Sequence, residues 1–483
     1  MIIGREAEVK ILDTICRTSR SEFVAVYGRR RIGKTFLIRK YFSKKNDCLY
    51  FEASGIKDGN TKKQLEFFSS ALSSCFYNKI PIKIPATWEE AFLLLTDEIE
   101  KIKKRKVVVF FDELPWMCTR RSRLIQTLDY YWNNKWVKIN NLKIIVCGSA
   151  ASWMLNNLIN AKGGLYNRLT RVLSLKPFDL RTTKQFLTAH KCKFNNKQVA
   201  DIYMVTGGIP FYLDQISPAL SVVQNISTLC FEENGLLLDE FPRLFKSLFA
   251  NATISLNIVK IIASKRYGIS REELLKKLKV KTGGWINDKI EEVEAAGFIV
   301  GFIPYGKKKD IYYRVIDEYT LFYLKWIAPD IKKGHGFSKS HWYNLVKNPS
   351  YASWLGMAFE NLCLKHQEQI MAALKLQNID CRVSSWRSVG VEKDGAQIDL
   401  LFDRGDDAVT ICEIKYVSSS EKFKIDKSYA KNLENKIEIF KTVTLTKKQI
   451  YLAMITSFGI AHNLYSEDLI QNEVVLDDLY RCV

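Results

Sequence analysis

Eight consecutive residues have the types and the spacing that bind phosphate groups. They fit the pattern GxxxxGK[ST] at every fixed position. The segment is Gly28-Arg29-Arg30-Arg31-Ile32-Gly33-Lys34-Thr35. The glycines let the backbone curl so that several N–H groups face the phosphates, while Lys34 can reach the β- and γ-phosphates and the Thr35 hydroxyl can ligate Mg²⁺. The segment is predicted to bind ATP and Mg²⁺; the alternative is a glycine-rich turn with an incidental lysine.

Two acids, Asp112 and Glu113, follow the apolar run 107–111. Their carboxylates could bind the metal ion and activate the water that ATP hydrolysis needs. A buried strand would deliver Asp112 to the Mg²⁺ ion, and Glu113 could polarise a water for attack on the γ-phosphate. An apolar run that ends in two acids is otherwise a common strand end. The phosphate-binding segment upstream favours the functional interpretation.

A second group of candidate residues, Asp399, Glu413 and Lys415, lies on two later apolar runs. Side chains alternate along a strand, so Glu413 and Lys415 share a face, and a hairpin through residues 404–407 would bring Asp399 alongside. Carboxylates hold Mg²⁺ or Mn²⁺ by oxygen ligands, and a lysine can position or deprotonate a water. The group predicts a metal-dependent phosphodiester site; the alternative is a hairpin with a solvated polar face.

The first half of the chain resembles an archaeal-type P-loop ATPase of the AAA/STAND class, over about residues 1–235. The resemblance is carried by 3–8, 28–35, 112–113, 147–149, 165–168, 175–178 and 207–210. It implies that Ser149 is a sensor that hydrogen-bonds near the γ-phosphate. It also implies that Arg168, or in second place Arg171, stabilises phosphate charge, in cis or in trans within a homo-oligomer. The variable loop residues Arg29, Arg30 and Arg31 are expected to be solvated.

The second group resembles the PD-(D/E)XK nuclease fold, which implies Glu360 on the preceding helix as a further metal ligand. Gln397 stands where related nucleases often place an acid. Archaeal-type ATPases of this kind are found fused to a nuclease-like domain of unassigned role. An inactive nuclease-like fold is therefore the alternative to an active one.

The elements that must position these residues follow from the hydrophobic patterns. Strands alternating with helices over the first 180 residues predict a parallel sheet covered on both faces. Three helical patterns before a hairpin pattern, over residues 256–315, predict a winged helix. The α/β pattern returns after about residue 351, with a helix predicted over 354–374. The predicted α/β multidomain fold has a P-loop ATPase domain at 1–178, a helical lid at 179–250, a winged helix at 251–330 and a restriction-endonuclease-like domain at 331–483.

The charge of the chain favours a polyanionic partner. Lysine and arginine total 73 against 52 acids, a net charge of +21. Such a surplus is typical of proteins that bind nucleic acid, although a lysine-rich proteome is an alternative. DNA is the expected partner. Three glutamates on the candidate recognition helix, 285–296, oppose sequence-specific readout of DNA by that helix.

Several classes of protein are disfavoured. The eleven cysteines are scattered and odd in number, which argues against a disulfide scaffold, and only five histidines are available for zinc. No signal peptide is recognised, and no apolar run approaches the roughly 20 residues of a membrane span. A cytoplasmic protein without membrane attachment is expected. His366 lies off the face of Glu360 and is expected to be an ordinary packed or surface histidine.

The leading hypothesis is a Mg²⁺- and ATP-dependent switch, cycling between ATP and ADP, that controls access of DNA to a metal-dependent nuclease. The alternative is a STAND-like signalling or nucleic-acid-binding ATPase whose nuclease-like domain is inactive.

Overall fold

The chain divides into two units, Met1–Pro177 and Phe178–Val483. The structure is a computed structural model, and it describes residues 1–160, 165, 167–280, 283–332, 340–388, 395–418 and 421–482. Tyr166, part of the family resemblance, lies outside the described residues.

Five strands of the first unit form one parallel sheet in the order β2-β3-β4-β1-β5. The strands are β1 (Glu22–Tyr27), β2 (Cys48–Ser54), β3 (Lys106–Asp112), β4 (Leu142–Gly148) and β5 (Arg171–Ser174). Every residue of the run 107–111 on β3 is 0% exposed. Because neighbouring side chains point to opposite faces of a sheet, both faces are covered, which confirms the prediction for this unit.

Helices connect these strands. They are α1 (Glu6–Arg17), α2 (Lys34–Phe42), α3 (Thr61–Phe76), α4 (Trp88–Glu100), α5 (Leu114–Met117), α6 (Leu124–Asn134) and α7 (Ala151–Met154). A 3₁₀ turn at Trp136–Lys138 and a π-helical turn at Leu155–Ile159 complete the unit. The carboxyl ends of β1, β3 and β4 lie at one edge of the sheet, where α/β proteins bind ligands.

The second unit begins with helices and continues into a small antiparallel sheet. The helices are α8 (Leu180–Ala189), α9 (Asn196–Thr206), α10 (Pro210–Leu213), α11 (Val222–Cys230), α12 (Glu240–Leu248) and α13 (Ala252–Ala263). There follow β6 (Ile269–Ser270), α14 (Arg271–Leu278), α15 (Gly284–Ala295), β7 (Ile299–Phe302) and β8 (Tyr312–Val315). The strands pair in the order β6-β8-β7.

The rest of the second unit is α/β. Its helices are α16 (Glu318–Phe322), α17 (Ala328–Lys332), α18 (His341–Val346), α19 (Pro349–Lys365), α20 (Gln367–Ala373), α21 (Lys427–Thr444) and α22 (Leu464–Leu469), with a π-helical turn at Tyr323–Ile327 and a 3₁₀ turn at Leu476–Tyr480. Its strands are β9 (Cys381–Ser388), β10 (Ala396–Arg404), β11 (Ala408–Lys415), β12 (Phe423–Lys424), β13 (Gln449–Thr456), β14 (Ile460–Ala461) and β15 (Asn472–Val475).

The larger sheet of this unit has the order β15-β13-β11-β10-β9. Strands β9, β10 and β11 are antiparallel, whereas β11, β13 and β15 are parallel. Helix α21 covers one face, where Phe440 packs among Trp386, Ile398 and Leu401. The mixed sheet thus holds the predicted hairpin of β10 and β11 at its centre.

The single helix predicted over 354–374 is wrong, because the chain forms α19 and α20 with a break at His366. The backbone of His366 leaves the helical region, with φ −110° and ψ 31°. The helical periodicity continues on both sides of the break, so the sequence pattern alone does not reveal it.

Gly207 and Gly208 follow α9 with positive φ of 65° and 68°. A Cβ on Gly208 would lie 2.1 Å from the carbonyl oxygen of Phe178, and the Phe178 N–H donates to the Gly208 carbonyl at 2.9 Å. Only glycine permits this close approach. The segment therefore positions helices α8 to α10.

Over the described ranges, none of the helices combines the length and the apolar character needed to cross a bilayer.

Candidate functional site

The phosphate loop, residues 28–33, joins β1 to α2. Gly28 has φ +142°, and a Cβ there would lie 2.3 Å from the carbonyl oxygen of Leu175, so the position requires glycine. The Nζ atom of Lys34 donates to the carbonyl oxygens of Gly28 at 3.0 Å and Arg29 at 2.9 Å. The ammonium group is thus held inside the curl of the loop, close to where a bound phosphate would lie.

Asp112, at the end of β3, meets the start of α2. The Thr35 hydroxyl lies 3.0 Å from each carboxylate oxygen of Asp112. Burial, together with the neighbouring charge of Glu113, raises the pKa of Asp112. Cys147 is fully buried beside it, and burial raises the pKa of that thiol well above its usual value. The hydroxyl and carboxylate oxygens are ligands that Mg²⁺ prefers, so these residues fit the ion.

Glu113 turns away from Asp112 and contacts Ser149. Its Oε2 atom accepts hydrogen bonds from the Ser149 N–H at 3.0 Å and the Ser149 hydroxyl at 2.9 Å. The backbone of Glu113 has φ +50°, an uncommon conformation for a residue with a side chain and one found at functional sites. Two residues predicted to act beside the γ-phosphate are therefore hydrogen-bonded to each other. The spacing of Glu113 and Ser149 in the sequence did not reveal this contact.

The variable residues of the loop are less solvated than expected. Arg29 is 5% exposed and Ile32 is buried, so the expectation of a solvated side chain is wrong for Arg29. Arg30 and Arg31 are partly buried. The guanidinium of Arg30 lies 5.9 Å from the centre of the Trp116 ring. The fold around the loop covers these side chains, which a motif with unspecified positions cannot indicate.

Arg5 is a loop-positioning residue that the sequence motifs did not assign. Its Nη2 atom donates to the carbonyl oxygens of Ile32 at 3.1 Å and Lys176 at 2.8 Å. Burial lowers the pKa of this arginine, although Glu8 beside it opposes that effect. The sequence signal that could have identified Arg5 was its position in the opening motif, residues 3–8.

Arg168 lies on an exposed turn before β5, and Arg171 is an exposed residue at the start of that strand. The Arg168 N–H donates to the carbonyl oxygen of Leu165 at 3.1 Å, which closes the turn. The role of either arginine at the phosphates stays a prediction.

The second group of candidate residues comes together in part. Leu400 pairs with Cys412 across the β10–β11 hairpin, and Asp399 and Glu413 flank this pair on adjacent strands. The predicted hairpin is therefore confirmed.

Both carboxylate oxygens of Glu413 are already bonded. Its Oε1 atom accepts from Tyr429 at 2.8 Å and lies 3.1 Å from Lys415 Nζ, while Oε2 lies 2.5 Å from Lys436 Nζ. Burial acts to raise the pKa of Glu413, but the two lysines outweigh it and the pKa is lowered. Tyr429 and Lys436, on α21, were missed. The only signal was that Lys436 ends another Glu-x-Lys triplet.

The other two acids also have partners. Glu360, on α19, forms an ion pair with Arg266 at 2.7 Å, and the Gln397 side chain donates to Asp399. Burial, with the charge of Asp399, raises the pKa of Glu360 to about 7 against the opposing effect of Arg266. Burial also raises the pKa of Asp399.

These contacts show carboxylates that are already paired with cations or hydrogen-bond donors, which differs from an open metal site. In the part of the chain that the structure describes, no three histidine, cysteine, aspartate or glutamate side chains are grouped closely enough to hold one ion. The metal site of Glu360, Asp399 and Glu413 stays a prediction.

His366 is a packed histidine, as expected. It is 1% exposed, its Nε2 atom accepts from the Leu180 N–H at 3.1 Å, and its Nδ1 atom lies 2.8 Å from the carbonyl oxygen of Leu362. Burial lowers its pKa to about 4. The neutral ring therefore joins the start of α8 to the end of α19.

Solved structures to which the chain shows similarity include the Walker-type ATPase of Pyrococcus abyssi and the ORC2 protein of Aeropyrum pernix. The first is 19% identical with a TM-score of 0.47, and the match covers 67% of this chain and 96% of that chain. The second, in complexes with ADPNP and ADP, is 14% identical with a TM-score of 0.44, and the match covers 69% and 96%.

Relatives by sequence include two proteins of Methanocaldococcus jannaschii. One, an uncharacterized protein, is 24% identical over 413 residues, which are 82% of this chain and 83% of the relative. The other, an uncharacterized ATP-binding protein, is 36% identical over 45 residues, which are 9% of this chain and 76% of the relative. The model of a family described as an ATPase domain predominantly from Archaea matches residues 2–216. Residues 2–216 of this chain are therefore similar to archaeal-type ATPase domains.

Proposed function

We propose that the first unit binds ATP together with Mg²⁺ and hydrolyses it. The contact between Thr35 and Asp112 carries this proposal, because it brings oxygen ligands from two separate motifs to one point beside the phosphate loop. Lys34 and the N–H groups of the loop bind the β- and γ-phosphates. Thr35 and Asp112 would hold Mg²⁺, which would supply positive charge to the phosphate oxygens.

Ser149 determines when Glu113 can orient the attacking water. The Ser149 hydroxyl donates to the Glu113 carboxylate. A γ-phosphate oxygen is a strong acceptor, and once it takes this hydroxyl, the Glu113 carboxylate keeps only the Ser149 N–H as a donor and turns more readily toward a water. ADP has no γ-phosphate and leaves the pair intact. Arg168, or Arg171, supplies further positive charge, from the same chain or from a second copy.

Steady-state ATP hydrolysis and binding of a fluorescent ATP analogue test this function. Lys34→Ala removes the phosphate-binding ammonium and is expected to abolish both, and Asp112→Asn is expected to abolish Mg²⁺-dependent hydrolysis. The control is Lys44→Ala, which changes an exposed lysine shortly after α2. Hydrolysis at the full rate by Lys34→Ala would contradict the assignment.

We also propose a helical lid at 179–250, a winged helix at 251–330 and a PD-(D/E)XK nuclease-like domain at 331–483. The order of α13, α14, α15 and the β7–β8 hairpin supports the winged helix. The β10–β11 hairpin, with Asp399 and Glu413 on adjacent strands, supports the nuclease-like fold.

The nuclease-like domain is proposed to bind nucleic acid without cutting it. The favouring observation is that Lys415 and Lys436 neutralise Glu413, and Arg266 neutralises Glu360. A metal ion would have to displace these cations before it could use the acids. Supercoiled DNA incubated with Mg²⁺ or Mn²⁺, with and without ATP, is expected to stay intact. Nicking by the wild type that Asp399→Ala abolishes would establish an active nuclease instead.

A further inference from the structure

A cavity of about 1550 Å³ opens within the second unit. Its walls come from the turn after α13, from β8, from α19 and from strands β9 and β10. Pockets for small molecules measure roughly 300–1,000 Å³. The cavity is larger than that range, so a ligand made of several linked units suits it.

Positive charge dominates the cavity wall. Seven lysine and arginine side chains and three carboxylates line it. Three of the cations are paired: Lys265 with Glu273, Arg266 with Glu360 and Lys307 with Asp310. The remaining four have no ion pair with any described residue. The cavity therefore has spare positive charge for an anionic ligand.

Arg314, on β8, is the most confined of these cations. Its guanidinium lies 3.7 Å from the centre of the Phe302 ring, and its hydrogen bond to the Ser385 hydroxyl is long, at 3.5 Å. Burial lowers the pKa of Arg314 to about 10, while the charge of Asp399 opposes that effect. No described carboxylate forms an ion pair with it. Partly buried cations are costly without an anion, so a phosphate in the cavity would be stabilised here.

Aromatic and guanidinium groups alternate on the adjoining wall. The Tyr267 ring lies 5.1 Å from the guanidinium of Arg266 and 4.9 Å from that of Arg387. Arg387, on β9, is exposed and has no described ion pair. Aromatic rings and guanidinium planes both stack on unpaired bases, and arginines also bind phosphates.

We infer that this cavity binds a single-stranded segment of nucleic acid, with Arg314 and Arg387 on its phosphates and Tyr267 beside its bases. A single strand is favoured over a duplex because the bases of a duplex are already stacked on one another. The inference deepens the proposed nucleic-acid-binding role and rests on it. It names the strand type and the residues that hold it, and it requires neither metal nor cleavage.

The test measures binding of labelled oligothymidylate and oligouridylate to the full chain. Fluorescence anisotropy reports the binding, in buffer that contains EDTA and no nucleotide. Both single strands are expected to bind at least about tenfold more tightly than a duplex of equal length, since stacking contributes strongly for each base. Arg387→Ala is expected to weaken binding by about fivefold or more. Arg387→Ala with Arg314→Gln should reduce the slope of log K against log salt by about 1.4, because each lost phosphate contact on a single strand removes about 0.7.

Arg382→Ala is the matched control, since Arg382 is exposed on the same strand and does not line the cavity. It is expected to bind as the wild type does, and thermal melting checks that every variant folds. Wild-type affinity in Arg387→Ala and in the double variant overturns the inference. So does duplex binding as tight as single-strand binding, or no binding by the wild type. ATP hydrolysis by the wild type and by Lys34→Ala is measured in a separate assay. Failure of the ATPase proposal can therefore be distinguished from failure of the single-strand inference.

Discussion

At the scale of single residues, two consecutive acids have different environments. Asp112 ends β3 and faces Thr35, whereas Glu113 adopts positive φ and faces Ser149. Sequence identified both acids because they follow an apolar run. It could not show that Glu113 is bonded to Ser149, because that contact depends on how β3 and β4 are placed side by side in the sheet.

Glu113→Gln is expected to keep ATP binding and to lower the hydrolysis rate about 100-fold or more, because an amide cannot accept a proton from the attacking water. ATP binding by fluorescence and phosphate release measure the two effects. Glu100→Gln, at an exposed position at the end of α4, is the control. A hydrolysis rate close to that of the wild type would exclude Glu113 as the general base.

His366 gives the second unit a dependence on pH. Its pKa is about 4 in the folded chain, against an ordinary value of about 6.5, so the unfolded chain binds the proton more readily. The contribution of neutral His366 to the free energy of unfolding is complete above about pH 6.5. It is lost as the pH falls toward 4. Between about pH 7.5 and 5 it accounts for a loss of about 2 kcal/mol in the free energy of unfolding.

Urea denaturation of the wild type and of His366→Gln at the two pH values measures this loss. The variant keeps a side chain that can accept from the Leu180 N–H but cannot be protonated in this range, so its stability is expected to change less. An equal loss in both proteins would show that other groups cause the dependence.

At the scale of elements, buried strands were predictable and long-range contacts were not. The run 107–111 predicted β3 to within one residue at each end, because a short continuous apolar run bounded by polar residues is typical of a buried strand. The bonds from Tyr429 and Lys436 to Glu413 depend on how α21 is rotated on the sheet. Periodicity shows that a helix exists and does not show which of its side chains reaches a given strand.

Arg5 joins the chain before α1 to the phosphate loop and to the segment after β5. Arg5→Ala removes two hydrogen bonds from a charged donor and is expected to lower the free energy of unfolding by about 2–4 kcal/mol. It is also expected to weaken ATP binding, because the carbonyl oxygen of Ile32 loses the hydrogen bond from Arg5 that holds the phosphate loop in place. Denaturation and nucleotide titration measure the two effects.

The control for this change is Arg17→Ala, at an exposed position in the last turn of α1. It removes an arginine from the helix that follows Arg5 without touching the loop. ATP affinity that is equal in Arg5→Ala and Arg17→Ala would contradict the anchoring role.

At the scale of the whole molecule, the nucleotide-dependent switch hypothesised from the sequence requires that nucleotide and nucleic acid affect each other's binding. We expect the affinity for oligothymidylate to differ between the ATP and ADP states by about 5- to 150-fold, the usual range for coupled sites. Glu113→Gln holds the ATP state during the measurement. The oligonucleotide must change ATP affinity by the same factor, because binding linkage is reciprocal. Equal affinities in the two states would exclude a switch.

The ion pairs of the second unit also bear on the net charge of +21. Three carboxylates near the cavity would by themselves create a negative field that turns a phosphate chain away. Arg266, Lys415 and Lys436 cancel that field locally, with three positive charges for the three acids Glu360, Asp399 and Glu413. A nucleic-acid strand that approaches Asp399 therefore meets acids whose charge is largely offset by neighbouring cations, so these acids oppose its attraction to Arg314 and Arg387 only weakly.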